Sequence, residues 1–158
     1  MPCYKYPMEK IKGKPRILFL CTGNSARSQM AEAFMRKYGG DQFEVFSAGL
    51  EPKEIHPLVI QVMKEKGVSL NGQYAKPLTF YMGKVHFSYL ITVCDNAEKE
   101  CPIFPGMGTR LHWPFEDPAA FQGTPQEKIE KFRSIRDQIE VKVKEWVSEF
   151  NNSETGSV

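Results

Sequence analysis

Two short apolar runs, 15–21 (PRILFLC) and 88–94 (SYLITVC), each end on a cysteine and each give way to polar sequence. Runs of this length, dominated by Ile, Leu and Val, predict strands buried on both faces. FEVFSAG (43–49) and RLHWPF (110–115) predict two more strands. Between them lie helical patterns. One runs from Arg27 through Met30, Ala33, Phe34 and Tyr38 to the Gly39-Gly40 pair. Another spans 57–66 through Leu58, Val62 and Met63, and stops at Gly67. From Pro125 a stripe of Ile129, Phe132, Ile135, Ile139, Val143, Trp146, Val147 and Phe150 steps by three or four, which predicts a long helix with a core face. Strands alternating with helices require right-handed crossovers and a parallel sheet covered on both sides. The expected fold is α/β, a three-layer sandwich around a central four-stranded parallel sheet. Such sheets bind ligands beyond the carboxyl ends of their strands. Cys21 and Cys94 should therefore share that rim, although they are distant in sequence.

The remaining features narrow the function by exclusion. The chain has 158 residues, which predicts one domain. Residues 1–14 read as a polar leader, 15–151 as a single catalytic domain, and 152–158 as a frayed tail. A net charge of +2 is too small to argue for nucleic acid or an anionic membrane. No apolar run is long enough to span a bilayer, and the start has no apolar signal core, so a cytoplasmic monomer is expected. The cysteines are Cys3, Cys21, Cys94 and Cys101. A reducing cytosol does not favour structural disulfides among them. No pair has C-x2-C spacing and His56, His86 and His112 are scattered, so zinc is not expected either. By residue type alone each cysteine could equally be a small buried hydrophobe.

Cys21 and Arg27 bracket the loop CTGNSAR between the first strand and the first helix. Consecutive backbone N–H groups in such a loop can converge on one point and make a nest for an oxyanion. Gly23 permits positive φ, and Asn24 tolerates it better than most residues. The helix dipole adds about half a positive charge behind the nest. Arg27 can grip two oxygens of a tetrahedral anion with its planar fork. The same surroundings favour thiolate at Cys21. The expected product is a nucleophilic sulfur within an anion cradle made of Cys21, Thr22, Gly23, Asn24, Ser25, Ala26, Arg27 and Ser28.

The stretch FLCTGNSARSQMAEAF resembles the signature loop of the low-molecular-weight protein tyrosine phosphatase superfamily. The resemblance implies that Cys21 attacks the central atom of the oxyanion, that Arg27 binds its oxygens, and that Ser28 hydrogen-bonds the thiolate. It also implies a general acid in an Asp-Pro pair, which FEDPAA matches at Asp117. On its own Asp117-Pro118 reads as a turn or helix cap. The likeness extends from about residue 16 to 150. Within this superfamily, LITVCDNAEKECP and HWPFEDPAAFQGTPQEK resemble the thioredoxin-coupled arsenate reductases. That branch implies a three-cysteine relay: Cys21 attacks arsenate, Cys94 attacks Cys21 as arsenite leaves, and Cys101 attacks Cys94. Thioredoxin then reduces the Cys94–Cys101 disulfide, with no metal or organic cofactor. Phosphate and sulfate are the expected competing anions.

The spacing of the last pair adds a physical condition. Seven residues rise roughly 10 Å along a helix axis, whereas the Cα atoms of a disulfide lie within about 7 Å. Any helix over DNAEKE must therefore melt before Cys94 and Cys101 bond, and the segment has little apolar side chain to anchor it.

Three departures from the family pattern matter. Ala26 stands where many relatives have a second loop cysteine. Ala119 and Ala120 follow Asp117-Pro118 where phosphatases carry tyrosines. Some relatives hold potassium with residues matching Asn24, Glu32 and Ser47 plus a threonine and an aspartate; here those last two positions are Tyr74 and Lys76. The expectation is that Lys76 supplies the charge itself; the alternative is a solvated surface lysine. Two other functions remain open at this point. One is a low-molecular-weight phosphatase whose Cys94 or Cys101 protects Cys21 from overoxidation. The other is an oxyanion sensor signalled by a disulfide. Glutaredoxin is the alternative reductant.

Overall fold

The computed structural model describes residues 13–103 and 106–155, with helix α4 described to Thr155 and side chains to Ser153. Cys3 and the first twelve residues of the leader lie outside that set, as do the last three of the tail. Along the chain the elements are β1 (Arg16–Cys21), α1 (Arg27–Gly39), β2 (Glu44–Gly49), α2 (Pro57–Glu65), β3 (Phe87–Thr92), α3 (Asp95–Glu100), β4 (Met107–His112) and α4 (Pro125–Thr155), with short 3-10 turns at Leu78–Phe80 and Pro118–Ala120. The four strands form one parallel sheet in the order β2-β1-β3-β4. This is the expected three-layer α/β architecture.

Every side chain from Ile17 to Leu20 is fully buried, so both faces of β1 are covered, as its unbroken apolar run requires. Phe19 meets Trp113, and Trp113 and Tyr89 both meet Trp146 of α4, so α4 covers the face that carries Phe19, Tyr89 and Ile91. On the opposite face Phe46 packs edge-on against Tyr81, next to the 3-10 turn. The apolar stripe of α4 is buried through Phe132, Ile135, Ile139, Val143 and Val147. Complete burial of a large apolar side chain is worth about 1.5–3 kcal/mol, so this stripe is the main fastener of α4.

Three boundaries differ from the sequence reading. β3 stops at Thr92, so Cys94 lies beyond the strand and serves as N-cap of α3. β4 occupies Met107–His112 rather than 110–115, because pairing with Phe87–Thr92 recruits the weak strand formers Met107-Gly108-Thr109. Finally, α4 continues to Thr155, through residues read as tail. Extending an existing helix costs far less than starting one, so poor formers can continue it.

Candidate active site

The loop after β1 is laid against the segment that follows β2. Leu50, Glu51, Lys53 and His56 donate their backbone N–H groups to the carbonyls of Cys21, Thr22, Gly23 and Ser25. The carbonyl of Asn24 accepts from Gln29 Nε2 at 2.9 Å. Carbonyls from Cys21 through Ser25 are thus engaged away from the cradle, which leaves the amides to face inward. Asn24 has φ 48°, the sole positive φ among described non-glycine residues. Gly49, where β2 ends, passes so close that a Cβ would lie 2.8 Å from both Asn24 N and Thr22 O. Only glycine allows that approach. α1 begins at Arg27 with no side-chain cap and no acid in its first turn. Its first amides are therefore directed at the loop rather than at a capping residue.

Cys21 Sγ lies 2.8 Å from Ser28 Oγ and accepts Asn24 N–H at 3.1 Å. It is 3% exposed. Burial pushes the thiol up, the two Ser28 hydrogen bonds and the Arg27 charge pull it down, and Cys94 adds to the rise. The cation and the helix dipole are visible in the sequence, whereas this burial is a property of the folded chain. The thiol is therefore raised rather than depressed as expected, and thiolate formation leans on Ser28, Arg27 and the loop amides.

A buried polar chain runs from Cys21 to Lys76. Asn24 Nδ2 donates to Ser28 Oγ at 2.8 Å and to Ser47 Oγ at 2.9 Å. Ser47 Oγ donates to Glu32 Oε1 at 2.6 Å, and Lys76 N–H donates to Asn24 Oδ1 at 3.0 Å. Lys76 Nζ is 4.0 Å from Glu32 Oε1, donates to the Tyr74 carbonyl at 2.8 Å, and lies 4.7 Å from the Tyr74 ring centroid. At 6% exposure Lys76 is not a solvated surface lysine. Tyr74 contributes its carbonyl and ring face rather than its hydroxyl. Burial lowers the lysine pKa while Glu32 opposes the shift, and Arg36 also pairs with Glu32 at 3.0 Å.

Arg27 donates from Nη1 to the Phe115 carbonyl at 2.9 Å, and its Nη2 is 3.7 Å from Asp117 Oδ2. Asp117 caps the following 3-10 turn through Ala119 N–H at 3.0 Å, and it also lines the cleft. The cap and the cleft position hold together. The cleft, about 740 Å³, is lined by Cys21, Arg27, His56, Cys94, Asn96 and Asp117 among others.

Cys94 Sγ lies 3.5 Å from Thr22 Oγ1 and accepts Ala97 N–H at 3.3 Å. Cys101 closes the other end of α3 as C-cap, 7% exposed, with burial pushing its thiol up. Between them only Ala97 is buried, as the polar sequence implied. Yet α3 is clamped. Glu98 accepts from Thr92 Oγ1 at 2.6 Å, and Arg110 of β4 reaches both the Glu98 carboxylate and its carbonyl. His112 Nε2 is 3.1 Å from Asp95, and Asn96 donates to Thr22 Oγ1 at 2.9 Å. Neither this clamp nor the roles of the segment 50–56, Gln29 and His56 are announced by the sequence. The one available signal was the helix start at Pro57, which makes residue 56 an N-cap, but histidine is an unusual cap.

Similarity to known proteins agrees with this geometry. Residues 16–155 match the model of the low molecular weight phosphotyrosine protein phosphatase family. An arsenate reductase of Halalkalibacterium halodurans is 40% identical over 131 residues, 83% of this chain and 94% of its own length. One of Bacillus subtilis is 40% identical over 130 residues, 82% of this chain and 93% of its own. A solved arsenate reductase in a phosphate-binding state superposes with a TM-score of 0.71 at 29% identity, covering 85% of this chain and 98% of its own. A thioredoxin-dependent arsenate reductase of Corynebacterium glutamicum gives 0.57 at 32% identity, covering 85% of this chain and 64% of its own. On this similarity over most of its length, the chain belongs to the low molecular weight phosphotyrosine protein phosphatase family.

Proposed function

We propose that the protein is an arsenate reductase that works by a three-cysteine relay in the cytoplasm, as a monomer, with thioredoxin as reductant. The observation that carries the reading is the position of Cys94: its sulfur borders the same cleft as Cys21, within 3.5 Å of the hydroxyl next to the nucleophile. The relatives called arsenate reductases support it at 40% identity. Arsenate sits on the amides of residues 22–28 and on Arg27. Cys21 thiolate attacks arsenic; an S–As bond forms and an As–O bond breaks, the oxygen leaving as water with a proton from Asp117. Cys94 thiolate then attacks Cys21 Sγ. An S–S bond forms, the S–As bond breaks, and its electron pair stays on arsenic, which leaves as arsenite. Cys101 attacks Cys94, which frees Cys21 and leaves a Cys94–Cys101 disulfide for the dithiol of thioredoxin. That last step requires α3 to unwind, because its ends are too far apart for a disulfide while it is helical. Lys76 beside Glu32 takes the place of a bound cation and holds Asn24 and the loop in position.

The test is mass spectrometry of a Cys101→Ser variant after arsenate addition. A Cys21–Cys94 crosslink and one arsenite per chain are expected; an uncrosslinked chain would refute the relay. The phosphatase reading is separated by running p-nitrophenyl phosphate hydrolysis beside arsenate-dependent NADPH oxidation with thioredoxin and its reductase. Turnover in the first assay alone would favour the phosphatase.

A further inference from the structure

His56 is fixed by three independent contacts. Its backbone N–H donates to the Ser25 carbonyl at 2.9 Å. Its Nδ1 accepts the Leu58 N–H at 3.1 Å, which caps α2. Its ring leans on Phe132 of α4, with centroids 4.7 Å apart and an interplanar angle of 34°. A ring nitrogen that accepts an N–H carries no proton of its own, so the hydrogen of the neutral imidazole resides on Nε2. The cap therefore chooses the tautomer. Nε2 has no hydrogen-bond partner among the described residues, and it is not among the buried polar atoms left unsatisfied, so it is open to solvent. The residue lines the cleft together with Cys21, Arg27 and Asp117.

We propose that His56 is a substrate-contacting residue whose Nε2–H donates to an outer oxygen of the tetrahedral oxyanion held by residues 21–27. This rests on the reading of the cleft as an oxyanion pocket. A neutral donor suits the chemistry there. An imidazolium would favour an ionised Asp117 and so leave it without the proton it delivers to the departing oxygen, whereas a neutral N–H adds a hydrogen bond without that cost. Burial supports the neutral form, against the pull of Asp117. The residue thereby couples the start of α2 to the substrate: the contact that positions the helix also aims the donor.

The experiment is calorimetric titration of the full chain with inorganic phosphate, using two variants that lose Nε2–H in different ways. His56→Ser keeps a hydroxyl able to cap α2 but too short to replace the ring. His56→Phe keeps the ring against Phe132 but has no nitrogen. Both should bind phosphate roughly tenfold more weakly than the native protein, the loss of one hydrogen bond to a charged group. In the native protein, phosphate should shift the His56 Nε2–H signal in the nitrogen–proton spectrum. Native-like phosphate affinity in both variants, with binding lost in Arg27→Ala, would overturn the role of His56 and leave the pocket standing. Absence of phosphate binding by the native protein would overturn the pocket reading and this one with it.

Discussion

Ser28 holds the balance at Cys21, because it is the largest influence opposing the burial that raises the thiol. Replacing Ser28 with Ala should move the midpoint of Cys21 alkylation by iodoacetamide to higher pH than in the native protein, leaving Cys101 alkylation unchanged. A midpoint that stays in place would remove Ser28 from the account. Asn24 would keep its Ser47 partner in this variant, so the loop should survive. Cys21 and Arg27 were legible because a nucleophile and its anion grip lie within one strand–loop–helix unit, and Ser28 only through the family resemblance of that loop. Gln29 and His56 were not, since their importance depends on carbonyls and a cleft that only the folded chain assembles. Lys76 was legible as a charge in an unusual place, but its burial was not. If its ammonium replaces a cation, turnover in potassium chloride and in sodium chloride of equal ionic strength should agree; a clear preference for potassium would refute the substitution.

The element that must move is α3, and the forces that hold it are polar. One buried alanine gives it little apolar anchorage, whereas Glu98 ties it to Thr92, Arg110 and, more loosely, His112. Glu98 is held below the ordinary carboxylate range, first by the Thr92 hydroxyl and then by Arg110. Its contribution is therefore present above that range and fades as pH falls through it. The ion pair is partly exposed and modest in strength, which suits a helix that has to open and close. Arg110→Met removes the contacts to both the Glu98 carboxylate and its carbonyl. Amides of residues 97–101 should then exchange with deuterium faster at pH 7, while those of β1 keep their protection, and diamide should form the Cys94–Cys101 disulfide sooner. Unchanged exchange over α3 would show that the clamp does not govern its opening. DNAEKE announced a short polar helix but not its restraint, because the restraining groups lie on β3 and on the edge strand β4, whose register the sequence reading set three residues late.

At the scale of the molecule, strand order brings the chemistry together. In the order β2-β1-β3-β4 the chain leaves β1 on one side and β3 on the other, so the loops after these two strands face each other across the point where the winding reverses. Cys21 enters from one loop and Cys94 from the other. Alternation of apolar runs was enough to infer the parallel sheet and its shared rim, but not how the helices lock around it. That lock includes an ion-pair network between α2 and α4. Glu65 at the end of α2 accepts from Arg133 and Arg136, and Arg136, 7% exposed, also donates to the Val62 carbonyl. The two guanidinium partners hold the Glu65 carboxyl well below its usual range, at about 2. A depressed carboxylate contributes stability above its unfolded value, about 4.3, and the contribution is lost as pH falls toward the folded one. Glu65→Gln removes that ion pairing at every pH and leaves Arg136 in its buried position with a weaker partner. Its thermal midpoint at pH 7 should fall below that of the native protein, and the difference should shrink as pH drops from about 4.3 toward 2, where the native Glu65 is itself protonated. Because α2 opens with His56 and α4 presents Phe132 to its ring, the same variant should also weaken phosphate binding slightly. A thermal midpoint equal to the native one at pH 7 would show that burial of the α4 stripe alone fixes the two helices, and that the network is a surface decoration on a packed core.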